Sequence, residues 1–452
     1  MELSIQVEEQ LMQVLREALR SELAALPARE EVCLGDLEAA VQQAVRRVGR
    51  VSLEEVARAV GTGYAGPTRP CPCGEEQATD HYATATWQTV LGASAITRAA
   101  YTCATCGAHS KPLDAQLGLT AERLSPLLRA LVSLYCACVP FADACRLLAQ
   151  ATGVTVGAKR AQLVSEALGA RLEQAQAQEA PPAPGTDAPP RLYVGLDGIL
   201  YSTTEKGEDD KLVWREAKVG VFYPPLPDRA PGTGRRSRLV AVAPPIDVAD
   251  SDDHAYVVHM GGWEGFAAKI WREALRQGIE QVRELVILSD GADWIVSLRE
   301  LLFDGLPVRV THILDHRHAE EHLWEVARAC LGEQAAAWTP GPLEDLSHGR
   351  INALLAAVRA LPTPSAEAAK QVATTCDYFD TRRALLDYPR FRAQGYHIGS
   401  GLAESACKRL VGQRAKGPGM HWTVPGAQAI GTLRAAYLSD RWEEVEALAA
   451  VA

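Results

Sequence analysis

Residues 191–203, RLYVGLDGILYST, decide how the rest of the chain is read. Leu192–Leu196 is an apolar run of strand length that ends in Asp197, and Gly198 follows at once. Leu200–Thr203, Leu212–Trp214 and Val219–Tyr223 read as further strands, which gives an antiparallel run. Beyond them the pattern alternates. A helix is predicted over Phe266–Arg276, a buried strand over Leu285–Leu288 ending at Asp290, and a helix over Trp294–Leu302. A strand over Val308–Leu314 then ends at Asp315, and a helix spans His318–Cys330. Strands alternating with helices make this part of the chain α/β.

Working outward, 452 residues leave room for roughly three domains of about 150 residues each. With 47% hydrophobic and 23% charged residues, the chain can bury more than one core, which excludes a mostly disordered protein. No run reaches the roughly 18 apolar residues of a membrane span. The acidic start MELSIQVEEQ lacks the basic-then-apolar layout of a signal peptide, so the expected location is the cytoplasm, with no membrane partner. Seven of the eleven cysteines (33, 136, 138, 145, 330, 376, 407) are scattered, as reduced, buried thiols are. A net charge of −10 argues against a nucleic-acid partner only on average, because local patches decide binding.

Upstream, residues 1–60 show helical spacing (Met12, Val14, Leu15; Leu34, Leu37, Val41), with Ser52 and Glu55 as a capping box. This segment carries a net −4, which suits packing or self-association better than a DNA clamp. Residues 61–118 form a small module: two cysteine knuckles bracket a strand-like segment from Tyr82 to Tyr101. Residues 119–173 return to helices, the second ending at Gly153 and the third running from about Val156 to Leu172 with Lys159 and Arg160 in its first turns. That is a helix-turn-helix layout, which plain helical packing also produces. QAQAQEAPPAPGTDAPP (174–190) reads as a linker, and 331–395 as helices broken by prolines. A last helical stretch begins near Leu402, and no repeat is evident.

Three constellations carry chemistry. Cys71-Pro-Cys73 and Cys103-Ala-Thr-Cys106, each closed by a glycine, offer four thiolates to one structural zinc; chance clustering of reduced thiols is the alternative. Asp197 in GLDG and Asp290 in LSDG are strand-end acids, at the sheet edge where α/β folds bind ligands, although turn aspartates also suit DG. Two such acids need a third carboxylate to complete a magnesium site, and Glu404 in GSGLAESACK is the best candidate. It lies in window 382–416, which has a net charge of +6, with an ordinary helix glutamate paired with Lys408 one turn on as the lesser alternative. The third constellation, His318-Ala-Glu-Glu321-His322, matches an HxxEH zinc-peptidase pattern.

Taken together, GLDG, SDGADW, DHRHAEEHLW and GSGLAESACKRLVGQRAKGPGMHW resemble the ISKra-type insertion-sequence transposases, relatives of the Mutator-like group. The resemblance covers nearly the whole chain. It implies a multidomain α/β protein: N-terminal helices (1–60), a zinc ribbon (61–118), a helix-turn-helix DNA-binding region (119–173) and the linker (174–190). An RNase H-like catalytic core would follow at 191–330 and 396–452, interrupted by an all-helical insertion at 331–395. The resemblance puts Asp197, Asp290 and Glu404 on two Mg2+ (or Mn2+) ions, supported by Asp315 and His318. Arg409, Arg414 and Lys416 would hold phosphates together with Lys159, Arg160 and Lys408, and Trp422 would stack on an unpaired base, although a tryptophan on an apolar helix is more often core. The partners implied are double-stranded DNA, as element ends and target, and further copies of the chain. The activity implied is metal-dependent strand cleavage followed by strand transfer. Two rivals are a DNA-binding protein of the same descent that no longer cuts, and the zinc peptidase.

Overall fold

The computed structural model describes residues 5–26, 31–179, 189–225 and 254–451. The chain is mixed α/β and divides into two compact units. One runs to Leu172 and regains the chain from Arg441 on; the other spans Glu173–Asp440.

The first unit opens with α1 (Ile5–Ala24) and α2 (Leu34–Val60). Helix α2 runs straight through Ser52, so the expected capping box is not a helix start. Glu55 is instead buried and paired with Arg58 on the same helix. A four-stranded antiparallel sheet follows, β1 (Thr68–Pro70), β2 (Glu76–Thr89), β3 (Gly92–Cys103) and β4 (His109–Ser110), in that spatial order. Its buried face includes Trp87 and Ile96, packed with Leu113 of the short α3 (Pro112–Gln116). Arg98 lies over the Trp87 ring at 4.3 Å.

Ser125 caps the next helix by accepting from the Leu128 N–H at 3.3 Å, with Pro126 in its first turn, and α4 (Pro126–Cys138) begins there. Then come α5 (Phe141–Thr152), ended by left-handed Gly153, and α6 (Ala158–Gln178). Leu128, Val132, Leu148, Val156 and Val164 form their shared core. Helix α6 continues into the segment expected to be a linker, because Gln and Ala are good helix formers. Residues 180–188 of that expected linker lie outside the described residues.

The second unit is built on a five-stranded sheet with the order β7-β6-β5-β8-β9. Strands β5 (Arg191–Lys206) and β6 (Leu212–Tyr223) form a long antiparallel hairpin, and β7 (Ala255–His259) extends it on the far side of β6. After α7 (Trp263–Arg276), β8 (Glu284–Ser289) pairs parallel with β5; after α8 (Asp293–Leu302), β9 (Arg309–Leu314) pairs parallel with β8. Helix α7 lays Phe266, Ile270 and Ala274 on a core of Leu192, Val194, Leu196, Leu285 and Ile287. Helix α9 (His316–Leu331) leaves the end of β9.

From there to residue 393 every element is helical: α10 (Ala335–Trp338), α11 (Pro340–Ser347), α12 (Ile351–Arg359), α13 (Ala366–Thr381) and α14 (Tyr388–Ala393). Helix α15 (Gly401–Cys407) passes through one π turn, Lys408–Gly412, into α16 (Gln413–Ala415), and α17 (Val424–Leu438) follows. The last helix, α18 (Trp442–Ala450), belongs to the first unit, although sequence reading kept 396–452 as one piece. There the Ala449 carbonyl accepts from buried Arg129 of α4. Among the described residues, no helix is long and apolar enough to cross a membrane.

Candidate functional site

Two strands read from sequence as separate pieces are one. Strand β5 does not end at Asp197 but runs nine residues further, to Lys206, paired with β6 from Tyr193 to Ser202 and again at Lys206. Its parallel neighbour β8 stops at Ser289, in register with Leu196. Asp197 and Asp290 are therefore the next positions on adjacent strands, at the carboxyl edge of the parallel part of the sheet. Strand β9 ends in register with β8 (Leu314 beside Ser289), which brings Asp315 to the same edge.

The two acids feel each other. Desolvation, opposed by the Gly198 N–H that donates to its Oδ1 at 2.7 Å, and the Asp290 charge together push the Asp197 carboxyl up to about 6. Asp290 Oδ1 accepts from the Ala292 N–H at 2.9 Å, which shapes the turn into α8. Asp315 has a different task. It is buried, caps α9 by accepting from the Arg317 N–H at 2.9 Å, and takes a hydrogen bond from the Ser400 hydroxyl. The His316 N–H donates to the Ile398 carbonyl at 3.0 Å. Asp315 thus ties the end of β9 to the segment that launches α15.

Helix α15 reaches β5 by close approach. A Cβ at Gly195 would stand 3.0 Å from the Ala403 Cβ, so only glycine lets the helix lie this near the strand two residues before Asp197. Glu404 follows Ala403, but its carboxylate is half exposed (44%) and engaged with Lys408 at 2.6 Å and, more loosely, with Arg317 at 3.9 Å. The Lys408 hydrogen bond holds its pKa below the usual value. His318 is also half-exposed and within electrostatic reach of both Asp197 and Glu404. The structure brings Asp197 and Asp290 together and puts Glu404 on the adjoining helix. The three do not converge into one ligand cluster; among the described residues, only the four cysteines do so.

Sequence reading missed two groups here. The Cys407 thiol, one turn after Glu404, is buried and hydrogen-bonds the Asp197 carboxylate; desolvation and that charge raise its pKa well above normal. Its i+3 spacing from Glu404 was the available signal. Glu216 on β6 lies against Gly198, where an added Cβ would stand 1.9 Å from its Oε1. Buried Lys218, 2.7 Å away and over the Trp294 ring at 5.0 Å, neutralises Glu216.

The basic window is only partly surface. Lys408 and Lys416 are exposed, and Arg409 is half-buried, donating to the Tyr256 hydroxyl at 2.9 Å. Arg414 (2% exposed) and Trp422 (6% exposed) are corrections to the expected DNA contacts. The guanidinium sits over the indole at 4.8 Å, and the indole N–H donates to the Ala415 carbonyl at 3.2 Å, so both are core. Lys159 and Arg160 are exposed on the first turn of α6, and Arg160 donates to the Glu122 carbonyl. The His318 and His322 rings of the HxxEH pattern lie 5.6 Å apart. The His322 ring lies against Tyr378 at 3.9 Å, and Glu321 pairs with Arg317 at 3.5 Å.

The cysteine module is closed. Cys71 follows β1 and Cys103 ends β3, and the knuckle glycines Gly74 and Gly107 take φ of +95° and +71°, where a side chain would strain. The four sulfurs all lie within 4.8 Å of one another, with Cys71–Cys106 at 3.6 Å and Cys73–Cys103 at 3.8 Å. Zinc–sulfur bonds of about 2.3 Å in a tetrahedron place sulfurs about 3.8 Å apart, so the set could hold a zinc ion. The four thiols share their protons unevenly: backbone N–H groups, Cys106 first, pull Cys103 down to about 6, while burial and the neighbouring thiols push Cys71 and Cys106 up.

The chain matches no protein-family model and no curated protein.

Proposed function

We propose that this chain is a DNA transposase that binds the ends of an insertion sequence and catalyses metal-dependent strand cleavage and strand transfer. The observation that carries the reading is the pairing of Asp197 and Asp290 at one sheet edge, two carboxylates whose mutual repulsion and desolvation a divalent cation would relieve. Carboxylate oxygens suit Mg2+ or Mn2+. Two such ions, held by Asp197, Asp290 and Glu404, would supply an activated water and charge relief on the leaving oxygen. The three-stranded meander β5–β6–β7, joined to parallel β8 and β9 and then to an acid-bearing helix, supports an RNase H-like core.

In this reading the residues of the chain divide the work. Asp315 holds the base of α15 through Ser400, the Gly195–Ala403 approach sets the helix against β5, and Glu404 would exchange its Lys408 partner for the ions. Lys408, released by that exchange, is then available to a phosphate together with Lys416. The four cysteines hold one structural zinc, and α4–α6, with exposed Lys159 and Arg160 at the start of α6, form a helix-turn-helix that reads element ends.

The test incubates labelled DNA carrying the ends of the element that encodes the chain with purified protein, with and without Mg2+. Cleavage that leaves a 3′ hydroxyl and requires the metal supports the proposal. Binding without cleavage in Mg2+ or Mn2+ favours the non-cutting DNA-binding protein, a reading that the engaged Glu404 carboxylate keeps open. Absence of binding contradicts both.

A further inference from the structure

The helical segment between β9 and α15 touches the acidic edge directly. The Tyr378 hydroxyl, on α13, donates to the Asp290 carbonyl at 3.0 Å. Arg382, which closes the same helix, donates through Nε to the Gly291 carbonyl at 2.7 Å and pairs with Asp293 at 3.0 Å. Two consecutive peptides of the turn that carries Asp290 are thereby fixed from outside the sheet. The ring of Tyr378 is itself held: the His322 ring of α9 lies against it at 3.9 Å, tilted by 33°, and the Arg382 guanidinium lies 4.7 Å from its centre. From inside the sheet, the Gly291 N–H donates at 3.0 Å to Ser289 Oγ, which is bonded at 2.7 Å to the buried His312. The turn between β8 and α8 is thus gripped from two sides, one grip belonging to the helical segment. The second histidine of the HxxEH pattern is the residue that lies against Tyr378.

We propose that Tyr378 and Arg382 are positioning residues: through the Asp290 and Gly291 carbonyls they fix the Asp290 carboxylate for a divalent cation, and His322 holds Tyr378 in place. The inference rests on reading Asp197 and Asp290 as metal ligands. Groups that orient a ligand from behind typically govern 10–100-fold in metal affinity, about the effect expected here.

The experiment titrates Mn2+ into the zinc-loaded full chain and follows the free-ion signal by electron paramagnetic resonance, with the urea midpoint recorded for each variant. Tyr378→Phe keeps the ring and its stacking and removes only the hydroxyl; Arg382→Gln removes the guanidinium; Arg382→Lys retains a charged donor. Tyr378→Phe and Arg382→Gln should each weaken Mn2+ binding about tenfold or more at an unchanged urea midpoint, with part of the affinity recovered in Arg382→Lys. Mn2+ affinity within twofold of the parent in both Tyr378→Phe and Arg382→Gln overturns the clamp while leaving the acidic site standing. A drop in urea midpoint with unchanged affinity also overturns it, since that is what a purely structural contact gives. If the parent binds no more Mn2+ than an Asp197→Asn/Asp290→Asn control, the acidic site itself fails, and the clamp with it.

Discussion

Replacing Asp197 with asparagine should make the metal-free protein more stable, by an amount that depends on pH. Burial and the neighbouring Asp290 raise the carboxyl from its ordinary 3.8 to about 6. A folded-state pKa above the unfolded one means that the folded chain holds the proton more tightly. The stability this contributes is fully present below pH 3.8 and is lost as pH rises through 6. A shift of about two units corresponds to about 3 kcal/mol at about 1.4 kcal/mol per unit. Asparagine carries no charge to desolvate, yet keeps an oxygen that can accept from the Gly198 N–H and the Cys407 thiol. Urea unfolding of the zinc-loaded protein in magnesium-free buffer should therefore place the variant about 3 kcal/mol above the parent at pH 8, narrowing to about 1.5 kcal/mol at pH 5. Saturating Mg2+, at about a hundred times its dissociation constant, should return about 2.7 kcal/mol to the parent and little to the variant. A variant no more stable than the parent at pH 8, or a margin that does not shrink toward pH 5, would refute the electrostatic account of this edge.

Three further outcomes follow from the geometry. Each single Cys→Ser change at 71, 73, 103 or 106 should abolish stoichiometric zinc, measured by metal analysis, and raise amide exchange across β1–β4 while exchange in β5–β9 stays unchanged. Gly195→Ala brings its Cβ to 3.0 Å from the Ala403 Cβ and 3.2 Å from Val221 Cγ1, and should cost about 1–3 kcal/mol in urea unfolding while displacing α15. Lys416→Ala should leave stability within about 0.5 kcal/mol and flatten the salt dependence of DNA binding by about one unit of slope, whereas Arg414→Ala should destabilise by about 2 kcal/mol or more, because its guanidinium is buried against Trp422.

What the sequence disclosed follows physical lines. Buried parallel strands and the acids that end them are local patterns, so β8 and β9 with Asp290 and Asp315 were readable, as were the cysteine knuckles with their glycines. Pairing is not local. Sequence reading stopped a strand at Asp197, because nothing in GLDG shows that the hairpin with β6 carries β5 on past the end of β8 to Lys206. The Ala255–His259 strand was missed although Tyr256, Val257 and Val258 are strong strand formers. Ser52 and Glu55 fit a capping box by spacing alone, and the helix that runs through them overrode it. Burial was the hardest to read: Arg414 and Trp422 looked like DNA contacts in a basic window, yet they pack on each other inside the core. Cys407, Tyr378 and Arg382 gain their meaning only from what folding sets beside them.

The most direct test of the central claim exchanges a ligand for sulfur. Asp197→Cys should lose cleavage of element-end DNA in Mg2+, which binds thiolate poorly, and regain it in Mn2+, while Asp197→Asn stays inactive in both. That pattern is expected if Asp197 touches a catalytic ion. Cleavage in Mg2+ by either variant at the rate of the parent contradicts the account.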